Sequence, residues 1–148
     1  MLSQTHHTIH IRTEGEGFVD VTAAISGWLR DIAAADGLVT AFIAHTSASL
    51  TIQENADLDV RHDLKEALRK IAPESRSYRH SLEGSDDMPA HIKAMLTSVS
   101  LSIPVLEGQM MLGRWQGVYV IEHRTEPHGR NLALHFVGTR QTSAAEGV

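Results

Sequence analysis

Four consecutive segments near the C-terminus carry strand patterns, and this run constrains the fold more than any other feature of the sequence. The segments cover residues 101–105, 109–116, 117–124 and 131–138. In the first and last of them apolar residues alternate with polar ones, as in strands with one buried face. Because short connections between successive strands favour antiparallel pairing, the run predicts a largely antiparallel sheet.

The rest of the chain alternates between predicted strands and predicted helices. Strand patterns occupy residues 8–12 and 38–46 and continue through Leu50 and Ile52. Three helices are expected to begin at polar capping residues, namely Asp20 or Thr22, Asn55 or Asp57, and Asp86 and Asp87 followed by Pro89. This order predicts an α+β fold with a largely antiparallel sheet packed against about three helices. We expect one domain over residues 1–138 and a flexible C-terminal tail over residues 139–148.

Composition narrows the classes of function. Thirteen Lys and Arg residues against 18 Asp and Glu residues give a net charge of −5 without a basic cluster. This balance predicts that the protein binds neither nucleic acid nor membranes. The chain has no cysteine, which excludes disulfides, thiolate zinc ligands and cysteine nucleophiles. Since no signal peptide and no transmembrane-length apolar stretch is evident, a cytoplasmic protein is expected.

The segment from residue 78 to residue 91 is the strongest candidate for a polar site. It contains two histidines, three carboxylates, a glycine and a proline, and it has little apolar surface to bury. Its second half predicts a helix start, which would hold His91 rigidly while His80 reaches in from the preceding loop. A surface loop with a good helix cap is the alternative interpretation, and these residues alone leave it open.

Two further polar clusters, residues 45–55 and 122–130, flank predicted strands. His45 at a strand end could join His80 and His91 as a third ligand of a divalent ion, although the spacing matches no established metal motif. Arg124 and Arg130 carry forked donors that suit phosphate or carboxylate, and a charged hairpin loop is the alternative. No nucleophile elbow surrounds the serines of the first cluster.

Several long motifs together resemble the YjbQ family, in order, from about residue 18 to residue 138. They are HTSASL at 45–50, EN at 54–55, VRHD at 60–63, EGSDDMPAHIK at 83–93, GRWQG at 113–117 and EHR at 122–124. The resemblance implies a small α+β protein that assembles as a homotrimer. It also implies a secondary thiamine-phosphate synthase activity. Family members often have threonine where this chain has Arg114, so the surface beside that residue is expected to differ.

The resemblance implies a polar pocket, from which residue roles are assigned by chemistry. We expect His45, His80 and His91 to bind a divalent metal ion, either zinc or, with a phosphate substrate, magnesium. The expected catalytic residues, as general base or support behind the histidines, are Glu54, Asn55, Asp86, Asp87 and Glu122. The expected substrate-binding residues are Ser47, Trp115, Gln116, Arg124 and Arg130. Glu122 is expected to point into the pocket in place of His123, its neighbour on the opposite strand face.

Three functions follow as hypotheses. The resemblance implies the joining of an aminopyrimidine pyrophosphate to a thiazole phosphate, with arginines or a metal stabilising the leaving pyrophosphate. The alternatives are a metal-dependent hydrolase of a small phosphorylated or acyl substrate and a non-catalytic trimer that binds a metabolite. We expect a homotrimer with shared sites, in which the apolar strands at residues 110–112 and 117–121 are buried between protomers.

Overall fold

The computed structural model describes residues 1–74 and 77–142 of the chain. Its helices and strands follow in the order β1 (Ser3–Arg12), β2 (Gly17–Asp20), α1 (Thr22–Asp31), β3 (Ala34–Ile43), β4 (Ala48–Glu54), α2 (Leu58–Ile71), α3 (Asp87–Leu96), β5 (Ser100–Leu106), β6 (Gln109–Met110), β7 (Gln116–Glu122) and β8 (Gly129–Arg140). The predicted α+β class with three helices is confirmed for the described residues.

The strands form two sheets, where the sequence predicted one. The first has five strands in the order β1-β8-β3-β5-β6, and the second has three in the order β2-β7-β4. Every described pairing is antiparallel, as predicted. Alternation of apolar and polar residues identifies the buried face of a strand but not the strand with which it pairs. The sequence pattern therefore could not predict the division into two sheets.

The two sheets and α1 enclose one hydrophobic core. Ile25 and Leu29 of α1 pack there with side chains from both sheets, including Leu50, Val120 and Phe136, which are all fully buried. Helix α1 is shorter than expected because Ala33 adopts a positive φ of 53° just beyond it and turns the chain into β3. A glycine is the usual residue in that conformation, so an alanine here does not indicate the end of a helix.

Strand β7 is buried on both faces within the single chain. Val118 and Val120 belong to the core between the sheets. Tyr119, on the opposite face, accepts a hydrogen bond from Arg61 of α2 at 2.7 Å and contacts Phe18 edge-on. The expectation that residues 117–121 provide apolar surface for assembly is therefore wrong, because the core shared with the five-stranded sheet covers one face of β7 and α2 lies against the other.

The spacing of Ile92, Met95, Leu96 and Val99 predicts that these residues of α3 face a core, but the helix buries a different face. Its buried residues include Ala90, Lys93 and Ala94, whereas Met95 is 78% exposed and Leu96 is 53% exposed. The small side chains allow the helix to approach the second sheet closely, where Leu50 of β4 pairs with Ser98 just after the helix. Apolar periodicity alone therefore predicts the wrong buried face for this helix.

The last strand extends past the predicted domain end. β8 continues to Arg140, so residues 139 and 140 of the expected tail are part of the sheet, and residues 143–148 lie outside the described part of the chain. Among the described helices, none has the length and apolar composition needed to cross a membrane.

Candidate functional site

Two histidines and one aspartate meet where the loop after α2 enters α3. One carboxylate oxygen of Asp87, Oδ2, lies 2.5 Å from Nε2 of His80 and 3.2 Å from Nε2 of His91. One ligand atom from each residue lies within 4.8 Å of the other two. We call these three residues the His80–Asp87–His91 group. Asp87 and His91 are four residues apart on α3, so the helix itself places them on one face.

Asp87 is fixed from its other side by an arginine. Its side chain is 2% exposed, and Oδ1 accepts a hydrogen bond from Nη1 of Arg124 at 2.9 Å. Burial would raise the pKa of Asp87, but the hydrogen bond to His80 and the nearby charges of His91 and Arg124 lower it overall. The carboxylate is therefore ionised and oriented, with Oδ2 directed at the two imidazoles.

The orientation of the His91 ring leaves its Nε2 without a proton in the neutral form. Nδ1 of His91 lies 2.9 Å from the carbonyl oxygen of Thr46, so the ring must donate its N–H there. In the neutral ring Nε2 then carries a lone pair that faces the Asp87 carboxylate at 3.2 Å. Two acceptors face each other, an arrangement stable only with an additional proton on the ring or a cation between them.

Arg124 binds the loop that precedes α3 and carries Glu83 and Asp86. Besides Asp87, its guanidinium donates to Oδ2 of Asp86 at 2.9 Å and to the carbonyl oxygen of Glu83 at 2.8 Å. Asp86 also accepts from the backbone N–H of Thr125 at 2.9 Å. Although burial acts to raise the pKa of Asp86, the hydrogen bonds from Arg124 and Thr125 lower it to about 2. Arg124 and Asp86 thus form a structural ion pair. The sequence predicted Arg124 as a phosphate contact and Asp86 as a catalytic carboxylate.

The glycine of the loop is required by this packing. Gly84 has a φ of 109°, and a Cβ built on it would lie 3.0 Å from Oδ1 of Asp86. A side chain would strain the backbone and displace the carboxylate that Arg124 binds.

Glu122 and Arg130 form a second, fully enclosed pair. Glu122 is inaccessible to solvent, and its two oxygens accept from Nε and Nη2 of Arg130 at 2.9 and 2.5 Å. Thr13 donates to the same carboxylate at 2.6 Å, and Arg130 also donates to Ser47 at 3.0 Å. Burial would raise the pKa of Glu122, but the hydrogen bonds from Arg130 and Thr13 lower it. The expected catalytic role of Glu122 and substrate contacts of Arg130 and Ser47 do not match this arrangement, since the three side chains bind one another inside the protein.

His123, which was expected to point away from the pocket, is buried as Glu122 is. Its Nε2 lies 2.8 Å from the hydroxyl of Ser49. Burial, followed by the charge of Lys93, lowers the pKa of His123 to about 4. Both faces of the strand end are therefore covered.

His45 does not join His80 and His91 within the chain. Its Nε2 accepts a hydrogen bond from the backbone N–H of Asn131 at 2.7 Å, which ties the ring to β8. Burial and the charge of Arg130 lower the pKa of His45. The structure thus brings together two of the three predicted metal-binding histidines and adds Asp87, which was predicted only as a supporting or basic residue.

Four other predicted site residues lie at the far end of the small sheet. Glu54 pairs with Gln116 across β4 and β7, whereas Ala48, at the other end of β4, pairs with Glu122. The strand length between the two ends is roughly 20 Å. Asn55 donates to the carbonyl oxygen of Trp115 at 2.9 Å and belongs to the same end. Glu54, Asn55, Trp115 and Gln116 therefore form a separate polar region within the single chain.

Two groups in the site were not predicted from the sequence. The carbonyl oxygen of Thr46 fixes the His91 ring, and Thr125 supports Asp86 through its backbone. A backbone contact leaves no trace in residue type. Thr46 lies within the motif at residues 45–50 and Thr125 follows the motif at residues 122–124, and these positions were the only available signal.

Comparisons with known proteins identify the family to which the sequence is similar. Residues 7–139 match the sequence model of a family described as UPF0047 protein YjbQ-like. A UPF0047 protein of Synechocystis is 45% identical over 91% of this chain and 92% of its own length, and the YjbQ protein of Escherichia coli O157:H7 is 39% identical over 88% and 96%.

Solved structures show the same fold. A conserved hypothetical protein of Thermus thermophilus superposes with a TM-score of 0.77 at 35% identity, covering 86% of this chain and 97% of that protein. A YbjQ-like protein of Sulfolobus solfataricus superposes with a TM-score of 0.87, covering 94% and 100%, and at 21% identity this likeness concerns the fold alone.

Proposed function

The chain belongs to the UPF0047 YjbQ-like family, and we propose that it is a metal-dependent enzyme whose centre is the His80–Asp87–His91 group. The observation that carries the proposal is that Nε2 of His80 and Nε2 of His91 converge on one carboxylate oxygen of Asp87, with one ligand atom of each residue within 4.8 Å of the other two. With His91 in its neutral form, a divalent cation between its Nε2 and Asp87 would replace the contact of two acceptors with two coordinate bonds.

The donor set fits a catalytic ion. Zinc sites of enzymes commonly use three protein ligands from histidine and carboxylate and keep one position open. Two imidazole nitrogens favour zinc or a similar transition metal over magnesium, which prefers oxygen ligands. The contacts of Thr46 with His91 and of Arg124 with Asp87 resemble the outer hydrogen bonds that orient metal ligands.

The reaction class that this arrangement favours is hydrolysis of a small molecule. A divalent ion bound here would supply Lewis acidity toward a substrate oxygen or a water molecule. A cavity of about 340 Å³ opens beside His80 and is lined by Glu74, Tyr78 and the serines 77, 81 and 85. Their hydroxyls can position a polar substrate, and Glu74 can take up a proton at its carboxylate.

Thiamine-phosphate synthesis is the second candidate, and the resemblance in motifs supports it. That reaction needs cations beside a leaving pyrophosphate. Arg124 and Arg130, the expected phosphate contacts, both pair with carboxylates of the chain itself. The synthase would therefore depend on the metal or on other cations, which makes hydrolysis the better-supported reaction.

A homotrimer is proposed on the outer face of the five-stranded sheet. Leu38 and Phe42 of β3 and Val137 of β8 are 36%, 45% and 39% exposed there. The other residues in the same three cross-strand rows carry no carboxylate, lysine or arginine: Gln4, His6, Thr8, Thr40, Ser100, Ser102, Pro104, Ala133 and His135. A face this free of charge suits burial between protomers.

Sedimentation equilibrium tests the assembly. The parent protein should sediment as a trimer, and Phe42→Glu should shift it toward monomer because the interface would bury a charge. Met95→Glu, at an exposed apolar residue of α3, is the matched control and should leave the trimer intact. A monomeric parent, or equal effects of the two variants, would reject this interface.

The catalytic proposal is tested with purified protein and a panel of phosphate esters, acyl esters and the two synthase substrates, with and without EDTA. We expect EDTA-sensitive hydrolysis that is lost in His91→Ala. Formation of thiamine phosphate after removal of the host synthase would favour the second candidate. Thermal stabilisation by a substrate that is never consumed would instead indicate a metabolite-binding protein.

A further inference from the structure

Lys93 is the lysine of the motif at residues 83–93, and the proposed centre provides no role for its charge. It lies in the middle of α3 on its buried face, and its side chain is 4% exposed. A buried ammonium group is costly unless it is hydrogen-bonded and paired. The contacts of its Nζ atom therefore need an explanation.

The ammonium group has an incomplete set of partners in the described part of the chain. Its nearest carboxylate oxygen is Oε2 of Glu16, at 3.7 Å, which is beyond hydrogen-bonding distance. The other oxygen of Glu16 accepts from Nε of Arg69 at 2.7 Å. One carboxylate thus lies between two cations, and the described contacts leave the three N–H groups of Lys93 without an acceptor.

A cavity of about 280 Å³ lies against these groups. Arg69, Lys93 and Glu16 line it together with Thr125, and Ala72 and Pro73 supply its apolar wall. Glu74 also lines it but is an exposed residue, so solvent screens its charge. Arg69 also pairs with Glu66 through Nη1, which leaves its Nη2 without a partner among the described residues. The side chains of both cations border the same space.

We propose that this cavity between α2 and α3 binds the oxyanion group, phosphate or carboxylate, of a small metabolite. An oxyanion beside Lys93 would accept charge-assisted hydrogen bonds from its ammonium group, with Arg69 supplying a further donor. The cavity volume accommodates a small anionic group and is too small for a large ligand.

The site is separate from the proposed metal centre. Thr125 borders the cavity and supports Asp86, and Glu74 borders both this cavity and the one beside His80. The two cavities are therefore neighbours, but the ligands of the His80–Asp87–His91 group do not line this one. Binding of an oxyanion here does not require a metal.

The test measures binding of inorganic phosphate, and of acetate in a parallel series, by amide chemical shifts in NMR spectra at constant ionic strength set with sodium chloride. In the parent protein we expect saturable shifts at Ala72 and Thr125. Lys93→Met should weaken binding about tenfold or more, the expected effect of losing hydrogen bonds to a charged group. Lys70→Met removes an exposed lysine of α2 and should not change it.

Two further variants keep the outcome decisive. Arg69→Gln changes a half-exposed residue and should fold even if Lys93→Met does not, and it should also weaken binding. His91→Ala should bind phosphate as the parent does. The proposal is overturned if chloride produces the same shifts, if Arg69→Gln has no effect, or if His91→Ala abolishes binding. A stronger response to phosphate than to acetate identifies the phosphate source, and the reverse identifies a carboxylate.

Discussion

Two buried carboxylates, Glu122 and Asp87, each pair with an arginine and lie near a histidine, but they differ in what their remaining oxygens contact. Glu122 is fully enclosed, and Arg130 and Thr13 donate directly to it. Asp87 has one oxygen held by Arg124 while the other faces His80 and His91, whose side chains are 46% and 31% exposed. The first carboxylate is saturated by donors, and the second retains capacity to bind a ligand.

This difference separates a structural pair from a candidate centre that uses the same residue types. A buried ion pair with every lone pair satisfied has nothing left to offer a substrate. A carboxylate beside two accessible imidazoles can exchange a proton or bind an ion. Three predictions sharpen the contrast, and the metal measurement then tests it directly.

Replacing Glu122 should have the largest effect on stability. Glu122→Gln leaves the buried Arg130 guanidinium without its counter-charge, and loss of one partner from a buried pair costs about 3–5 kcal/mol. Asp87→Asn should cost roughly 1 kcal/mol, because Arg124 keeps its other acceptors and the two histidines reach solvent. Urea unfolding measures both variants. Equal losses would break the distinction between the two carboxylates.

Acidification should destabilise the enclosed region through His123. Because burial lowers its pKa to about 4 from an ordinary 6.5, the unfolded chain binds a proton at this residue before the folded protein does. Stability is thus unaffected by His123 above pH 6.5, falls as the pH drops from 6.5 to about 4, and changes no further below that. The total loss is about 3 kcal/mol.

His123→Gln should remove this component from the pH dependence of the free energy of unfolding. The comparison uses parent and variant over the same pH range, so that contributions of the other histidines cancel. An unchanged slope between pH 6.5 and pH 4 would mean that His123 is protonated in the folded protein at these pH values.

Asp86→Asn should have a smaller effect than either Glu122→Gln or the protonation of His123. The depressed pKa of Asp86, about 2 against 3.8, corresponds to about 2 kcal/mol of stability above pH 3.8, which is lost as the pH falls toward 2. The neutral amide should also loosen Arg124 and the loop around Gly84. Thermal unfolding at pH 7 and pH 2.5 checks this, and an equal difference between parent and variant at both values would contradict the assignment.

The sequence predicted individual helices and strands better than it predicted which of them contact one another. The cap at Asp57 was among the expected helix starts, and its side chain accepts from the backbone N–H of Asp59 at 2.9 Å. Strand alternation correctly identified the buried Ile103 and Val105. These features depend on residues close in sequence, whose pattern local physics determines.

The site was predicted in part because only some of its contacts are local. The closeness of the Asp87 and His91 side chains follows from helix geometry, and the sequence predicted the helix that carries both residues. The orientation of His45 toward Asn131 and the burial of Arg130 against Glu122 depend on residues brought together by the sheets. The residue types indicated that the arginines and histidines of the motifs could be reactive. Long-range packing determines which of them are enclosed in the protein.

Metal content tests the central claim most directly. Protein purified without a histidine tag and analysed by inductively coupled plasma mass spectrometry should hold about one divalent ion per chain, as expected for a folded site with matching ligands. His80→Ala, Asp87→Asn and His91→Ala should each lose the ion, whereas His45→Ala and His123→Gln should retain it. A parent protein without metal, or ligand variants that keep a full complement, would contradict the account.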